Sequence, residues 1–401
     1  MIFNTCWFLY FFIIFYALLW LIPNARVRLL FVLVSSAVFQ YHFAGPAGVA
    51  PIIVMAVSTY FLARWMDQLP IGSPQKKRVF ILALFVPIIG LVYYKYRALL
   101  IGSAAGLIGG EAGKVLEPYA VPTALPLAIS FFTFEFVHYL TDVYLGKGKS
   151  IGNFFQFGIF SIFFPSVVSG PIKRFQPFLA QLGEGLQRPK LTLAALGLAQ
   201  VLLGFFKKLV IADNATMMIH LLEKRTDLSF GPVCFLMSLL SIRILFDFSG
   251  YSDIAIGLGK MIGLALPVNF NFPYIARNIT FFWRRWHMSL SSWILDYIYI
   301  PLGGNRLGPA RKFFNLTVTM FVCGLWHGAS WHFGIWGIYH GLGLTLHNAW
   351  EKTGFGGRWA AWDPSRWFDI ALTNLFVAYG WLLFFYPMDT VFKMTRYLFR
   401  F

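Results

Sequence analysis

Long apolar runs separated by short polar segments dominate the chain. A helix that crosses a bilayer needs about 20 mostly apolar residues. The pattern predicts an all-α fold, a polytopic transmembrane helical bundle with about nine to eleven spans. The first run is expected to be a retained helix, since it lacks the basic start of a signal peptide. The candidate spans are residues 3–22, 29–43, 48–65, 79–94, 120–140, 153–170, 192–212, 230–247, 313–326, 331–348 and 369–386.

Three further apolar segments, 98–109, 251–268 and 290–304, are too short or too rich in Gly and Pro to cross a membrane simply. They are predicted to be re-entrant or interfacial. Irregular backbone at membrane depth is tolerated only inside protein or beside a cavity, so a functional site is expected near these segments. The spacings Gly259-x-x-x-Gly263 and Gly337-x-x-x-Gly341 predict close helix packing.

Composition extends the membrane prediction to the whole chain. Hydrophobic residues make up 58% and charged residues 12% of the 401 positions, against about 25% charged in soluble domains. We therefore expect one integral membrane domain over residues 1–401. The net charge is +17, and basic residues punctuate the apolar runs. That pattern is typical of anchors beside lipid head groups and argues against a nucleic-acid partner.

Residues 277–304 combine Arg, Trp and His with apolar positions. A helix from Thr280 would place Arg284, His287 and Ser291 on one face. The planar guanidinium groups of Arg284 and Arg285 suit an anionic, phosphate-bearing donor. An interfacial anchor helix is the alternative interpretation.

Residues 323–348 carry four histidines, at positions 327, 332, 340 and 347. No Asp or Glu lies between Asp296 and Glu351, so no metal site is predicted. Gly324 and Gly328 flank His327 and are expected to leave room for a substrate. Apolar walls favour the neutral imidazole that a general base needs. The other three histidines are interpreted as hydrogen-bonded core residues.

Five acidic residues lie in apolar surroundings: Glu135, Asp142, Asp247, Asp253 and Asp296. Buried acids serve as proton relays in transporters. They could equally pair with basic residues such as Arg243. The residues alone therefore leave open a transporter of lipid-linked or acidic glycans.

Several segments together carry a resemblance to a known family. Residues 246–306 (beginning FDFSGYSDIAIGLG and ending IYIPLGGNR) and GLWHGASWHFGIWGIYHG closely resemble the membrane-bound O-acyltransferases, in the branch of alginate O-acetylation proteins. PLAISFFTFEFVHYLTDVYLGK, SGPIKRFQPF and LLGFFKKLVIAD resemble other landmarks of that branch. The chain length is similar to that of the teichoic acid D-alanylation transferase of the same superfamily.

The resemblance implies a helical bundle around a tunnel or funnel, in which His327 is the active-site histidine and His287 the other prominent one. The implied reaction moves an acyl group, expected to be acetyl, from a cytoplasmic thioester (acetyl-CoA or an acyl carrier protein) to a hydroxyl. No bound cofactor is implied. An extracytoplasmic acetyltransferase partner would then modify a polysaccharide such as alginate, and the location would be the bacterial inner membrane.

The predicted site therefore has two catalytic residues, His327 and His287. Substrate-binding roles are predicted for Arg284, Arg285, Lys173, Arg174, Trp326, Asp296 and Ser291. Lys173 and Arg174 would attract the phosphates of the donor carrier. The alternatives that stay open are D-alanyl transfer to teichoic acid, glycan transport, and a non-catalytic scaffold for a polysaccharide synthase.

Overall fold

The computed structural model describes residues 2–182, 186–225, 229–353 and 367–399, and all regular structure in these ranges is helical. The all-α prediction is confirmed. The α-helices are α1 (Cys6–Leu21), α2 (Ala25–Asp67), α3 (Pro74–Leu91), α4 (Arg97–Ile108), α5 (Gly110–Leu116), α6 (Ile129–Tyr144), α7 (Phe154–Ile162), α8 (Phe175–Leu182), α9 (Leu191–Phe205), α10 (Asp213–Glu223), α11 (Phe230–Ile262), α12 (Ile279–Trp283), α13 (Met288–Ile294), α14 (Gly308–His327), α15 (Trp331–Trp350), α16 (Trp367–Phe385) and α17 (Met388–Phe399).

Among the described residues, five helices are long and apolar enough to cross a membrane. They confirm a polytopic membrane protein. Their apolar windows are between 17% and 39% buried, so most of the apolar surface faces outward, where lipid would cover it. The five are Ala25–Asp67, Pro74–Ile108, Leu191–Glu223, Phe230–Ile262 and Trp367–Phe385, and the apolar α1 is shorter.

Helix boundaries depart from the prediction where the backbone is irregular. The predicted spans 29–43 and 48–65 join in α2 across a kink at Gly45, whose φ is 64°. Segment 98–109 is an ordinary helix, because a π-helical turn at Val92–Tyr96 connects α3 to α4. The expectation of a broken segment there is wrong, and most of 251–268 likewise continues α11.

Two predicted spans are shorter in the structure. Within 120–140, α6 begins only at Ile129, after the left-handed Ala128 (φ 64°). Within 153–170, α7 ends at Ile162 after 9 residues. At 1.5 Å per residue, 9 residues extend about 14 Å, well short of a bilayer core.

The chain forms two compact units: Met1–Leu202 with Asp253–Pro267, and Leu203–Ser252 with Val268–Phe401. In the first unit α9 and α11 cross at two glycines, since a Cβ on Gly197 or on Gly257 would meet the other residue's carbonyl oxygen. Gly263 instead adopts φ 93° and ends α11. The packing predicted from Gly259 and Gly263 is therefore wrong, and Gly257 supplies the contact.

In the second unit α14 and α15 form an antiparallel hairpin. A Cβ on Gly337 would collide with the carbonyl of Met320, and one on Gly341 would meet the backbone of Thr317. The close packing predicted from these two glycines is confirmed. The hairpin fixes the end of α14, where His327 lies.

Candidate functional site

His327 is the last residue of α14, and Gly328 continues in extended conformation toward α15. Its half-buried imidazole lies among three aromatic rings. Ring centroids are 4.8 Å away for Trp326, 5.3 Å for Trp336 and 5.1 Å for Phe384. The imidazole thus has apolar walls and retains partial access.

The glycines beside His327 act differently from the prediction. A Cβ on Gly324 would overlap the carbonyl of Phe333, and one on Gly328 would overlap the Phe333 ring. Phe333 fills the space that was expected to admit a substrate. These glycines let α15 approach α14, so any route to His327 lies elsewhere around the ring.

His287 lies between α12 and α13 with a left-handed backbone, φ 42° and ψ 54°. The single helix predicted from Thr280 is therefore wrong, and Arg284, His287 and Ser291 do not share one helical face. The His287 side chain is fully buried. Its ring centroid is 4.6 Å from Phe248 and 5.8 Å from Trp326.

Trp326 accordingly contacts both predicted catalytic imidazoles. Trp336 in turn contacts His327 and a further histidine, His340. The Trp336 ring is 5.3 Å from His327 and 4.8 Å from His340. We call His287, Trp326, His327, Trp336 and His340 the ring cluster. All five belong to the second unit.

Several buried ring nitrogens of this region have no hydrogen-bond partner among the described residues. They are both nitrogens of His287, both of His340, and the indole nitrogens of Trp336 and the adjacent Trp283. Buried polar groups are nearly always hydrogen-bonded. Burial, with the neighbouring His327, also lowers the pKa of His287 well below its ordinary value of 6.5. His287 is therefore neutral and offers one N–H donor and one acceptor.

The remaining histidines have different surroundings. His332 lies 2.8 Å from the hydroxyl of Ser330, and His347 lies 3.2 Å from the Glu351 carboxylate. The His332 contact agrees with the hydrogen-bonded role predicted for it, whereas the Nε2 of His347 makes no hydrogen bond to a described residue. His340 was predicted to be hydrogen-bonded in the core, whereas it is fully buried with no such partner in the part of the chain that the structure describes.

Two predicted anion-binding residues precede His287. Arg284 is exposed, and its guanidinium stacks over Phe281 at 5.6 Å. Arg285 is half-buried and donates to the carbonyl of Asn271 at 3.1 Å. Arg284 therefore has the more accessible charge.

Two further predicted binding residues follow His287. The Ser291 hydroxyl donates to the Trp286 carbonyl at 3.1 Å. Asp296 is half-buried in a π-helical turn, Leu295–Tyr299. Such turns are frequent at functional sites.

Lys173 and Arg174 lie in the first unit, in the segment before α8. The ammonium of Lys173 is buried and donates to the Glu135 carboxylate at 2.5 Å. Arg174 is half-buried. The Lys173 charge is thus matched inside the protein, which leaves Arg174 as the more accessible of the two.

Three of the other acidic residues lie beside Lys or Gln side chains. Lys208 lies 2.6 Å from Asp247, Gln176 donates to Asp142 at 2.8 Å, and Gln200 donates to Asp253 at 2.9 Å. Arg243 stacks on the Phe385 ring. The described residues include no group of three or more His, Cys, Asp or Glu side chains that could hold a metal.

The sequence did not place Asn269, Trp336 or His340 in the site, and it predicted only a core role for His340. Asn269 is fully buried and hydrogen-bonds to Ser289, two residues after His287. A single Asn among apolar residues carries no periodic signal. Trp336 and His340 fall one turn apart on α15, a spacing that could have indicated a common face toward His327.

Known proteins resemble the chain over most of its length. The profile described as MBOAT, membrane-bound O-acyltransferase family, matches residues 4–353. The probable alginate O-acetylase AlgI of Azotobacter vinelandii is 34% identical over 403 residues, covering 100% of this chain and 78% of that protein. The peptidoglycan O-acetyltransferase of Helicobacter pylori is 34% identical over 80% of this chain and 64% of its own length. The teichoic acid D-alanyltransferase of Streptococcus thermophilus is 33% identical over 56% of this chain and 57% of its own length.

Proposed function

Because the chain belongs to the membrane-bound O-acyltransferase family and is therefore an O-acyltransferase, we propose that it transfers acetyl groups to hydroxyls of an extracellular or cell-wall polysaccharide. The names of two relatives support acetyl transfer, one to alginate and one to peptidoglycan. The match to the alginate O-acetylase covers the whole chain, whereas the match to the D-alanyltransferase covers 56% of it.

One observation carries the chemistry: Trp326 contacts two imidazoles, one half-buried and one fully buried. His327 is the more accessible and is assigned as the general base. His287 is neutral, and neither ring nitrogen has a partner among the described residues. Its N–H is therefore available to donate to the acyl oxygen, where negative charge develops.

The reaction conserves atoms and protons in two steps. His327 takes the proton of the acceptor hydroxyl as that oxygen attacks the thioester carbonyl carbon, and the carbonyl oxygen becomes an oxyanion. The intermediate then collapses, the carbon–sulfur bond breaks, and the protonated His327 returns its proton to the leaving thiolate. An ester and a free thiol result. General-base assistance of this kind contributes about 10²–10⁴-fold.

The donor is proposed to be a cytoplasmic thioester, either acetyl-CoA or an acyl carrier protein. Both bear phosphate, which arginine binds through paired N–H groups. Exposed Arg284, which lies in the second unit with both proposed catalytic histidines, is the basic residue assigned to it. Trp326, Asp296 and Ser291 are proposed to bind the substrate.

The acceptor side is proposed to include an extracytoplasmic acetyltransferase partner that passes the acetyl group to the polysaccharide. The protein is placed in the bacterial inner membrane. Its long apolar helices and the alginate and peptidoglycan relatives support this assignment.

The direct test measures the rate of acetyl transfer by the protein in membrane vesicles that are given radiolabelled acetyl-CoA or a radiolabelled acetyl-loaded acyl carrier protein. His327→Gln keeps a polar side chain and removes the base, so transfer should fall by about 10²–10⁴-fold. His347→Gln is the matched control, since His347 lies on α15 beside Glu351 and outside the ring cluster. Its transfer should stay within about twofold.

Undiminished transfer by a folded His327→Gln protein would contradict the assignment. A D-alanyl carrier protein serves as the competing donor in the same assay. If it alone supports transfer, the D-alanyl alternative replaces the acetyl proposal.

A further inference from the structure

Asn269 makes several hydrogen bonds to the two residues that follow the left-handed His287. The Asn269 carbonyl accepts the N–H of Met288 at 2.8 Å. Its side-chain oxygen accepts both the N–H and the hydroxyl of Ser289, at 3.2 and 2.6 Å. Its amide nitrogen donates to the hydroxyl of Ser252 on α11 at 3.2 Å. Asn269 thus ties the two residues that follow His287 to a long apolar helix.

The segment that begins at Asn269 pairs with the segment that contains His287, and this pairing explains why the His287 backbone is left-handed. A second hydrogen bond joins the N–H of Asn271 to the Arg285 carbonyl at 3.0 Å. Between the Asn269–Met288 hydrogen bond and the Asn271–Arg285 hydrogen bond, one segment spans residues 269–271 and the other spans residues 285–288. The second segment therefore holds one extra residue, as in a β-bulge. The positive φ of His287 accommodates it.

A left-handed backbone is uncommon outside glycine and persists only where the surroundings over-determine it. Here it also sets the direction of the Cα–Cβ bond. The imidazole itself has no hydrogen-bond partner within the described ranges. Its orientation toward Trp326 therefore depends on the backbone and on ring packing alone.

We propose that Asn269 is a positioning residue for acyl transfer, which fixes the His287 imidazole through Ser289 and Met288. The proposal rests on the function proposed above, because it assumes that His287 acts on the acyl group. Asn269 has no assigned contact with substrate. It acts through the backbone of His287.

The test compares initial rates in membrane vesicles at equal amounts of folded protein. Asn269→Ala removes both hydrogen bonds to Ser289, and kcat should fall about 10²-fold, the effect of a displacement near 1 Å. The KM for the donor thioester should change by less than about threefold, since Arg284, the proposed donor-binding residue, is untouched. Ser289→Ala leaves the backbone bond in place, and its kcat should fall about tenfold.

The matched control is Ser292→Ala on the same helix. Ser292 is exposed, and its hydroxyl donates only to the Ser289 carbonyl, at 3.0 Å, among the contacts described. Its kcat should stay within about twofold of wild type. Ser289→Thr keeps the hydroxyl and should recover most of the activity that Ser289→Ala loses.

A coupled pair of variants separates positioning from general destabilisation. His287→Asn lacks the imidazole, and Asn tolerates the left-handed backbone. If Asn269 acts through His287, Ser289→Ala should cause no further loss in the His287→Asn background. Equal further loss in both backgrounds would overturn the proposal. So would full kcat in folded Ser289→Ala and Asn269→Ala.

The two proposals fail in different ways. If His287→Asn retains full transfer, the catalytic role of His287 fails and the positioning proposal fails with it. If His287→Asn loses transfer while Ser289→Ala does not, only the positioning proposal fails. Should Asn269→Ala not accumulate in membranes, Ser289→Ala and Ser252→Ala carry the same test.

Discussion

Two buried polar clusters, one in each unit, differ in whether their polar atoms have partners. In the first unit the Lys173 ammonium lies 2.5 Å from the Glu135 carboxylate. Gln176 donates to Asp142 close by. This cluster joins α6 to the segment that begins α8. Every one of these four residues has a polar partner.

The second unit places His287, Trp336 and His340 in an aromatic shell. Their buried ring nitrogens have no partner among the described residues. A buried donor or acceptor without a partner costs about 1–3 kcal/mol. The fold therefore carries an energetic cost here that the first cluster avoids.

The difference separates structural from chemical roles for buried polar residues. Satisfied groups hold helices together, as the Lys173–Glu135 pair does. Unsatisfied groups retain hydrogen-bonding capacity for a ligand, as His287 is proposed to do. The sequence alone could not distinguish them, because both clusters present polar residues in apolar segments.

The largest expected effect comes from breaking the satisfied cluster. Lys173→Met leaves the Glu135 carboxylate buried without its cation, and the free energy of unfolding should fall by about 3–5 kcal/mol. The measurement is thermal or denaturant unfolding of the protein in detergent. The double variant Lys173→Met with Glu135→Leu removes both charges and should regain most of that loss.

An equal loss in the single and the double variant would show that packing, rather than the charge pair, holds this region. That outcome would remove the distinction between the two clusters.

A smaller effect on the free energy of unfolding, of opposite sign in the two units, is expected when one buried histidine in each unit is replaced by Phe. His138 and His340 are both fully buried. His138 accepts the N–H of Phe175 at 3.2 Å, so His138→Phe leaves that donor unpaired and should cost about 1–3 kcal/mol. His340→Phe removes two nitrogens without partners and should stabilise the fold by about 1 kcal/mol.

Unfolding curves of the two variants against wild type check this comparison. A loss at both positions would mean that His340 makes a stabilising interaction comparable to that of His138.

The fold class followed from the sequence because long apolar runs leave few alternatives to spanning helices. The boundaries failed at particular residues, Gly45, Ala128 and His287, where φ is positive. An apolar pattern records which positions are buried and carries no information on such a local reversal. At these three residues the prediction therefore extended, merged or split elements.

The candidate site was predicted in part. His327 and His287 stood out because histidine is rare among Gly and Trp in apolar segments. The partner of Lys173 could not be predicted, since Glu135 lies 38 residues earlier on another helix. For the same reason a basic residue expected to bind a donor proved to be half of a buried ion pair. Contacts between distant segments decide both cases.

A last effect, below that of the Lys173 variant, concerns the protonation of His287 and sharpens the comparison within the ring cluster. Its pKa in the folded protein lies well below the unfolded value of 6.5. Below pH 6.5 the unfolded chain therefore binds a proton that the folded protein does not, and stability falls as the pH falls. Between pH 7.5 and 5.5 this residue should cost about 1.4 kcal/mol.

His287→Asn removes that proton while accepting the left-handed backbone. Between pH 7.5 and 5.5 the unfolding free energy of the His287→Asn protein should therefore fall by about 1.4 kcal/mol less than that of wild type. Parallel pH dependence in the two proteins would mean that His287 meets water or another hydrogen-bonding group in solution. His287 would then titrate like a hydrated surface histidine, and the contrast with the Lys173–Glu135 cluster would rest on Trp336 and His340.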